Sequence, residues 1–514
     1  MEAQKSQFVP DWLHKRAQLT PSCVALEDAA SGRQITYREW NASANRTADY
    51  LRALGVETGD RVAVYASNSL EYLDIWMACG KIGAILQNLN WRLTPAELSA
   101  LIVNAAPVAL IYSGEYTRGV NQMRAGIPSV RHFIAIDQPA AESDRRFSER
   151  EAHPNHFDTP TDLAPDHPWV ICYTGGTTGL PKGAVLTHAN MTWNSINTVM
   201  SWGLDQNDVT ILNAPLFHTG GLNVFTLPLI HVGGKSIVCK AFDVDQTFDL
   251  MEHGGVTVYF GVPTMYVVMQ QHPRWATADF SRMKLIISGG APCPLPIFER
   301  FWEKGVDFKT GYGLTEAGPN TFWLPPEDVR RKPGAVGFPL FHIDVRVTRL
   351  DGIGCDPGEA GELLIRGPHV TPGYWNNPEA TAAVIIDGWL HTGDLAVRDD
   401  EGYYTIVGRL KDMIISGGEN IYPAEVESVM HAHPAIAEAA LIGVPDPKWG
   451  EVGRAIIVIK PDQPFSEAEF LVFLGARLAR YKVPKSIRCV ETLPKTGPGK
   501  IDKKALYEQF GGDQ

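Results

Sequence analysis

Short apolar runs that alternate with longer stretches of helical spacing constrain this chain more than any other feature. Residues 62–67 read VAVYAS, 69–84 read SLEYLDIWMACGKIGA and 108–113 read VALIYS. Runs of the first and third kind have strand length, and the one between them has helix length. Strand, helix, strand in repetition brings the strands side by side in parallel and covers them with helices, so the pattern predicts an α/β fold with mostly parallel strands. It continues over most of the chain to about residue 400, and 514 residues are too many for one hydrophobic core.

The rhythm then changes. Pro423 stands where a first helical turn begins, with Val426, Val429 and Met430 following at helical spacing. Residues 439–444 (AALIGV) and 455–460 (AIIVIK) read as strands, and Ser466 with Glu469 reads as a capping box ahead of Leu471, Leu474 and Leu478. This is a compact α+β module. The short, charged connection Val407-Gly408-Arg409-Leu410-Lys411-Asp412 divides the chain into a domain of residues 1–410 and one of residues 411–514.

Charge and cysteine usage narrow the classes. Lys and Arg number 46 against 58 Asp and Glu, and a net charge of -12 argues against a surface that gathers nucleic acid or anionic lipid. The seven cysteines are scattered with no CxxC, which suggests neither a disulfide framework nor a zinc knuckle. No apolar stretch approaches bilayer-spanning length, the N-terminal residues lack the apolar region of a signal peptide, and the terminal Gly-Gly-Asp-Gln is neither a peroxisomal nor a prenylation signal. The expectation is a soluble, cytoplasmic protein without an integral membrane segment; oligomeric state is not readable.

The strongest local signal is 173–183, YTGGTTGLPKG, between the strand-like flanks WVICY and AVLTH. Gly175, Gly176 and Gly179 let backbone amides approach phosphate oxygens, Thr174, Thr177 and Thr178 add hydroxyl donors, and Lys182 adds charge. Gly179 is followed by Leu-Pro-Lys-Gly, where a Walker A loop needs Gly-Lys-Ser/Thr, so a P-loop NTPase is disfavoured. A ligand-free Gly/Thr hairpin is the plainer alternative, but hydroxyls, glycines and a lysine together exceed what a turn needs.

This loop resembles the signature of the adenylate-forming superfamily, which includes acyl- and aryl-CoA synthetases, adenylation domains and firefly luciferase. Gly176 departs from it, standing where the family usually has serine. Four further segments resemble family motifs in order, and the resemblance covers nearly the whole chain. In 311–319 (GYGLTEAGP) it implies that Tyr312 and Gly313 line the adenine site, that Thr315 offers a hydroxyl to the α-phosphate and that Glu316 ligates Mg²⁺. Just upstream, 288–292 (SGGAP) implies that Gly289, Gly290, Ala291 and Pro292 pack against adenine and acyl group. In 388–395 (GWLHTGDL), Asp394 holds the place of the ribose-binding carboxylate, and Arg409, fifteen residues on, that of an arginine reaching the same sugar. Alone, either reads as half of a surface salt bridge.

In 408–427 (GRLKDMIISGGENIYPAEVE) the resemblance implies a hinge at Lys411 and a pantetheine passage at Gly417 and Gly418; a plain turn is the alternative for Gly418. In 493–501 (LPKTGPGKI) it makes Lys500 the adenylation lysine, bridging carboxylate and phosphate oxygens. Residues 215–223 (PLFHTGGLN) resemble the segment that opens the acyl pocket, with His218 as an aromatic gate or else a core histidine, and Thr219, Gly220, Gly221 and Asn223 beside it. No aspartate stands there to pair an amino group, which disfavours an α-amino acid substrate. Gly220 stands where hydroxycinnamate ligases tend to carry an aromatic side chain, implying a longer or wider pocket.

The implied activity is an acyl-CoA synthetase that uses ATP, Mg²⁺ and CoA to convert a medium- or long-chain fatty acid, or a bulky aryl or polycyclic acid, to its acyl-AMP and then its thioester. Transfer to an amine or carrier protein is the alternative within the family. A luciferase-like oxidoreductase or a catalytically silent acyl-AMP binder is the alternative outside it, against which Lys500 and Glu316 speak.

Overall fold

The structure is a computed structural model that describes residues 9–156, 163–174, 181–461, 463–495 and 500–512. Two seven-stranded sheets dominate it. The first runs, in spatial order, Arg145–Arg146, His132–Ala135, Ala109–Tyr112, Arg61–Tyr65, Ile85–Asn88, Pro168–Thr174 and Lys182–Thr187, parallel except for the last pair. The second runs Lys309–Thr310, Leu285–Ser288, Val258–Gly261, Val209–Leu212, Lys235–Val238, Val24–Asp28 and Gln34–Thr36, again antiparallel only at the final pair. The chain is therefore α/β, as the alternation predicts.

Between the sheets lies the helix Leu70–Ile82. Ser69 caps it by accepting from the Tyr72 N–H, and Gly83 ends it at φ 70°. Every residue but Glu71 is buried, because the helix sits in an apolar cluster that draws Val62, Leu86 and Ala109 from the first sheet and Leu26, Leu212 and Val238 from the second. Its two buried charges are paired, as burial demands. Asp74 takes Arg150 Nη1 at 2.5 Å and Ser43 Oγ at 2.6 Å, and Lys81 Nζ donates to Asp11 Oδ2 at 2.7 Å and Asn41 Oδ1 at 2.9 Å.

A five-stranded antiparallel sheet follows, in which Asp344–Thr348, Ala360–Arg366, Trp389–Arg398 and Ile385–Ile386 pair in that order and Tyr404–Arg409 pairs Trp389–Arg398. The apolar alternation does not foresee it. These strands read DVRVT and WLHTGDLAVR, about half polar and no more than half buried, so they lack the continuous apolar run of a strand buried on both faces.

From Ile414 onward the residues build two apolar clusters of their own. Val426, Met430, Phe470 and Leu474 pack on one side of a five-stranded sheet, and Leu493 and Leu506 on the other. The helix Pro423–His431 starts at its proline, and the long hairpin Ile436–Asp446 and Gly450–Ile459 contains both strand-like runs except for Lys460. Ser466 accepts from the Glu469 N–H, which is one half of the expected capping box. Among the described residues no helix is long and apolar enough to cross a membrane.

Candidate active site

The strands Pro168–Thr174 and Lys182–Thr187 form a hairpin in which Thr174 faces Lys182. Gly175, Gly176, Thr177, Thr178 and Gly179 lie outside the described residues. Thr174 Oγ1 is 3.3 Å from the Lys182 carbonyl and 3.5 Å from Glu316 Oε1. Glu316 sits in the single 3₁₀ turn Thr315–Ala317, only 9% exposed. The approach to that turn is closed to side chains: a Cβ on Gly313 would stand 2.1 Å from the Pro319 carbonyl oxygen, so glycine alone fits.

Tyr374, which the sequence reading does not single out, joins this group. Its hydroxyl donates to Glu316 Oε1 at 2.8 Å, and Lys182 Nζ lies over its ring at 5.1 Å from the centroid. Burial first, and then the Glu316 charge, push its phenol above the ordinary tyrosine range, so it stays a donor.

At the other end of the cleft Tyr312 and Arg409 converge on Asp394. Tyr312 Oη donates to Asp394 Oδ2 at 2.6 Å and Arg409 Nε lies 3.1 Å from Asp394 Oδ1. The fifteen-residue spacing has a direct cause: Asp394 and Arg409 are opposite one another in register on the antiparallel strands Trp389–Arg398 and Tyr404–Arg409. An ionised carboxylate has about four lone-pair positions, so both oxygens keep capacity for ribose hydroxyls.

Lys500 reaches the same place from the C-terminal module. Burial, then the Arg409 charge, lower its pKa below the ordinary lysine value, while Asp394 opposes them. His218 feels Lys500 in turn: burial, then Lys500 and Arg92, push the imidazole down to about 4, so it is neutral at pH 7. The structure thus gathers Tyr312, Asp394 and Arg409 at one end, with Lys500 within reach of their charges and His218 within reach of that of Lys500, and Thr174, Lys182, Glu316 and Tyr374 at the other, with Tyr312 and Glu316 four residues apart on the segment between them.

The residues read as acyl pocket divide. Thr219 Oγ1 accepts from Asn223 Nδ2 at 2.9 Å, and both are buried, so these two hold the helix Thr219–Asn223 together. A Cβ on Gly221 would stand 2.5 Å from the Pro215 carbonyl oxygen. Gly220 and Gly289 lie on either side of a ring absent from the sequence reading: a Cβ on Gly220 would lie 3.3 Å from Phe260 Cε1, and one on Gly289 3.0 Å from Phe260 Cε2. The space left by the missing side chain at Gly220 is therefore partly taken by Phe260. Beyond Gly289, Gly290 turns at φ 79° and is exposed, as is Pro292, with Ala291 half-buried between them. The signals for Tyr374 and Phe260 are weak in sequence, because neither belongs to a polar cluster and each works through a neighbour distant along the chain.

Lys411 occupies the 3₁₀ turn Leu410–Asp412, between the last strand of the antiparallel sheet and the first strand of the C-terminal module. Gly417 and Gly418, at φ 60° and 88°, make the two-residue turn of the hairpin Ile414–Ser416 and Glu419–Ile421, a conformation that favours glycine. The Trp449 ring packs on Gly417, 2.6 Å from where a Cβ would stand.

Among the described residues no group of three His, Cys, Asp or Glu could form a protein-only metal cage. Glu316 with the Thr174 hydroxyl nearby is instead a sparse hard-oxygen set. That fits Mg²⁺, which keeps water and takes one or two carboxylates plus phosphate oxygens.

Residues 13–375 match the AMP-binding enzyme family, and residues 425–500 match the AMP-binding enzyme C-terminal domain. The chain belongs to the AMP-binding enzymes. This AMP-binding enzyme, a member of the adenylate-forming superfamily, is 41% identical over 507 residues to a feruloyl-CoA synthase of an Amycolatopsis species, covering 99% of this chain and 100% of that one. It is 36% identical over 493 residues to an indoleacetate–CoA ligase of Aromatoleum aromaticum, covering 96% of each. A solved anthranilate CoA ligase in complex with anthranoyl-AMP superposes with a TM-score of 0.90 at 27% identity, over 97% of this chain and 96% of that one. In reaction class the AMP-binding enzyme is an AMP-forming acid–thiol ligase.

Proposed function

We propose that this AMP-binding enzyme activates an aromatic carboxylic acid, of hydroxycinnamate or arylacetate type, as its acyl-AMP and passes the acyl group to CoA. The observation that carries the activation step is the grip of Tyr312 and Arg409 on Asp394, with the charge of Lys500, from the C-terminal module, acting within the same group. The aromatic class is supported by the Phe260 ring beside Gly220 and Gly289, a flat apolar wall where two side chains are missing, and by relatives named for feruloyl and indoleacetate thioesters.

A carboxylate resists thiols because oxide is a poor leaving group and the anion repels nucleophiles. In the first half-reaction a carboxylate oxygen attacks the α-phosphorus of ATP and pyrophosphate leaves; in the second the CoA sulfur attacks the acyl carbon and AMP leaves. Asp394 and Arg409 hold the ribose, Tyr312 flanks the adenine, and Lys182 and Lys500 supply positive charge where negative charge accumulates in the transition state. Mg²⁺ bound at Glu316 would add Lewis-acid neutralisation of the phosphate oxygens. His218, neutral, borders the carboxylate without ion-pairing it, so the nucleophile is not trapped in a salt bridge.

Lys500 and the Gly417–Gly418 turn belong to one small module but serve different half-reactions. We assign residues 1–410 and 411–514 as two domains that turn about Lys411 between the steps.

A panel of ferulate, indoleacetate, anthranilate and palmitate, each offered with ATP, Mg²⁺ and either CoA, a phosphopantetheinylated carrier protein or an amine, tests the proposal. Aryl-CoA thioester as the fastest product is the expected result. Palmitoyl-CoA as the fastest product overturns the acid class, and a carrier-bound or amide product overturns the acceptor.

A further inference from the structure

Residues 371–375, Thr-Pro-Gly-Tyr-Trp, lie along the strand that leaves the phosphate loop. The Trp375 N–H donates to the Gly183 carbonyl at 2.7 Å, the Val185 N–H to the Gly373 carbonyl at 3.0 Å, and Thr371 Oγ1 to the Val185 carbonyl at 2.5 Å. At its other end the Thr371 N–H donates to the Glu316 carbonyl at 2.7 Å. One strap is thus stitched both to the strand that bears Lys182 and to the turn that bears Glu316. Its path requires glycine, since a Cβ on Gly373 would stand 2.3 Å from Thr381 Cγ2, and the Thr381 hydroxyl accepts from the Tyr374 N–H at 2.9 Å. The Tyr374 side chain is therefore fixed at its root.

That fixed side chain touches both charged groups of the phosphate end in different ways. Its hydroxyl holds Glu316 Oε1 at 2.8 Å, while its ring face carries Lys182 Nζ at 5.1 Å. Among the described residues no ion pair joins Lys182 to Glu316, although opposite charges in a half-dry cleft attract strongly. Such a pair would neutralise the cation meant for the triphosphate and the carboxylate meant for Mg²⁺.

We infer that Tyr374 is a positioning residue for adenylation: its hydroxyl sets the Glu316 carboxylate and its ring seats the Lys182 ammonium, holding the two apart in the ATP-free protein. The inference rests on reading this end of the cleft as the site of Mg²⁺ and the triphosphate. It assigns separable duties to the two parts of one side chain, the hydroxyl acting on the metal side and the ring on the phosphate side.

Calorimetric titration with α,β-methylene ATP, in Mg²⁺ and again in EDTA, separates them without turnover. Tyr374→Phe, which keeps the ring, is expected to retain the metal-free affinity within about twofold and to lose about threefold to tenfold of the Mg²⁺-dependent gain. Tyr374→Leu is expected to weaken the metal-free affinity as well. In the Glu316→Gln background, adding Tyr374→Phe is expected to cost nothing further, because the hydroxyl acts through the carboxylate. A merely structural role would lower the melting temperature and scale both affinities together. Full Mg²⁺-dependent gain in Tyr374→Phe, or losses that multiply in the double variant, would overturn the assignment. Wild-type protein with no Mg²⁺-dependent gain would instead remove the reading of the site on which it rests.

Discussion

Asp394 and Arg409 face each other across two antiparallel strands, with Arg409 Nε 3.1 Å from Asp394 Oδ1. The strand register sets the two residues opposite one another, so the pair is preformed. Tyr312, 2.6 Å from the other carboxylate oxygen, completes a three-sided grip. Because the Arg409 side chain is 53% exposed, the ion pair adds little to stability, and the proposed function gives it a role in binding ATP.

Arg409→Ala is therefore expected to leave the melting temperature nearly unchanged while raising KM for ATP about tenfold to hundredfold, the worth of hydrogen bonds to a charged group, about 1.5–3 kcal/mol. Steady-state kinetics beside thermal melting checks it. A large fall in melting temperature with unchanged KM would mean that the pair is structural.

In the proposed mechanism Lys500 acts as the ammonium; its pKa is lowered in the free enzyme, so activity dependent on it is expected at lower pH and lost as pH rises through that lowered value. The alkaline limb of kcat/KM for pyrophosphate release, which reports the free enzyme, is expected below the ordinary lysine value of about 10.4. His218, pushed down to about 4, is already neutral and contributes no limb between about pH 6 and 8. Residual activity of Lys500→Arg is expected to lack the alkaline limb; the same limb in that variant would assign it to another group.

Phe260→Ala is expected to change which acid is chosen. Removing the ring opens space beside Gly220 and Gly289, so kcat/KM for ferulate should fall about tenfold or more while longer or bulkier acids gain, since one methylene of apolar contact is already worth about 1–3 kcal/mol. Competition between paired acids measures the ratio, and an unchanged ratio would take Phe260 out of the pocket wall.

Lys81, in the last turn of the central helix and 3% exposed, is bound to Asp11 at 2.7 Å. Lys81→Met takes the ammonium from a nearly buried carboxylate and is expected to cost about 3–5 kcal/mol in denaturant unfolding. Lys81→Met with Asp11→Leu should recover much of the loss. Equal losses in the single and double variants would show that packing, not charge, governs this corner.

Much of this architecture is legible in the sequence, and the boundary of legibility is physical. The central helix shows itself because its apolar residues and its Ser69 cap are local. The hairpin around the Gly/Thr loop does so because its flanks are continuous apolar runs. What stays hidden is non-local pairing. Nothing near Val24–Asp28 announces that this strand joins Lys235–Val238, more than two hundred residues away. Register places Arg409 opposite Asp394, while spacing alone leaves each as an ordinary surface charge. Tyr374 and Phe260 gain their meaning from Glu316, Lys182, Gly220 and Gly289, to which only the folded chain brings them.

The central claim is that Lys500 serves adenylation alone and that the module carrying it must turn about Lys411 for thioester formation. Single-turnover kinetics of the two half-reactions tests it most directly: acyl-AMP formation from acid and MgATP, and consumption by CoA of acyl-AMP supplied ready-made. Lys500→Ala is expected to slow the first step about hundredfold or more, the scale of losing a group that stabilises transition-state charge, and to leave the second within about threefold. Lys411→Pro is expected to do the reverse. Equal loss of both steps in Lys500→Ala, or full CoA transfer in Lys411→Pro, would contradict the account.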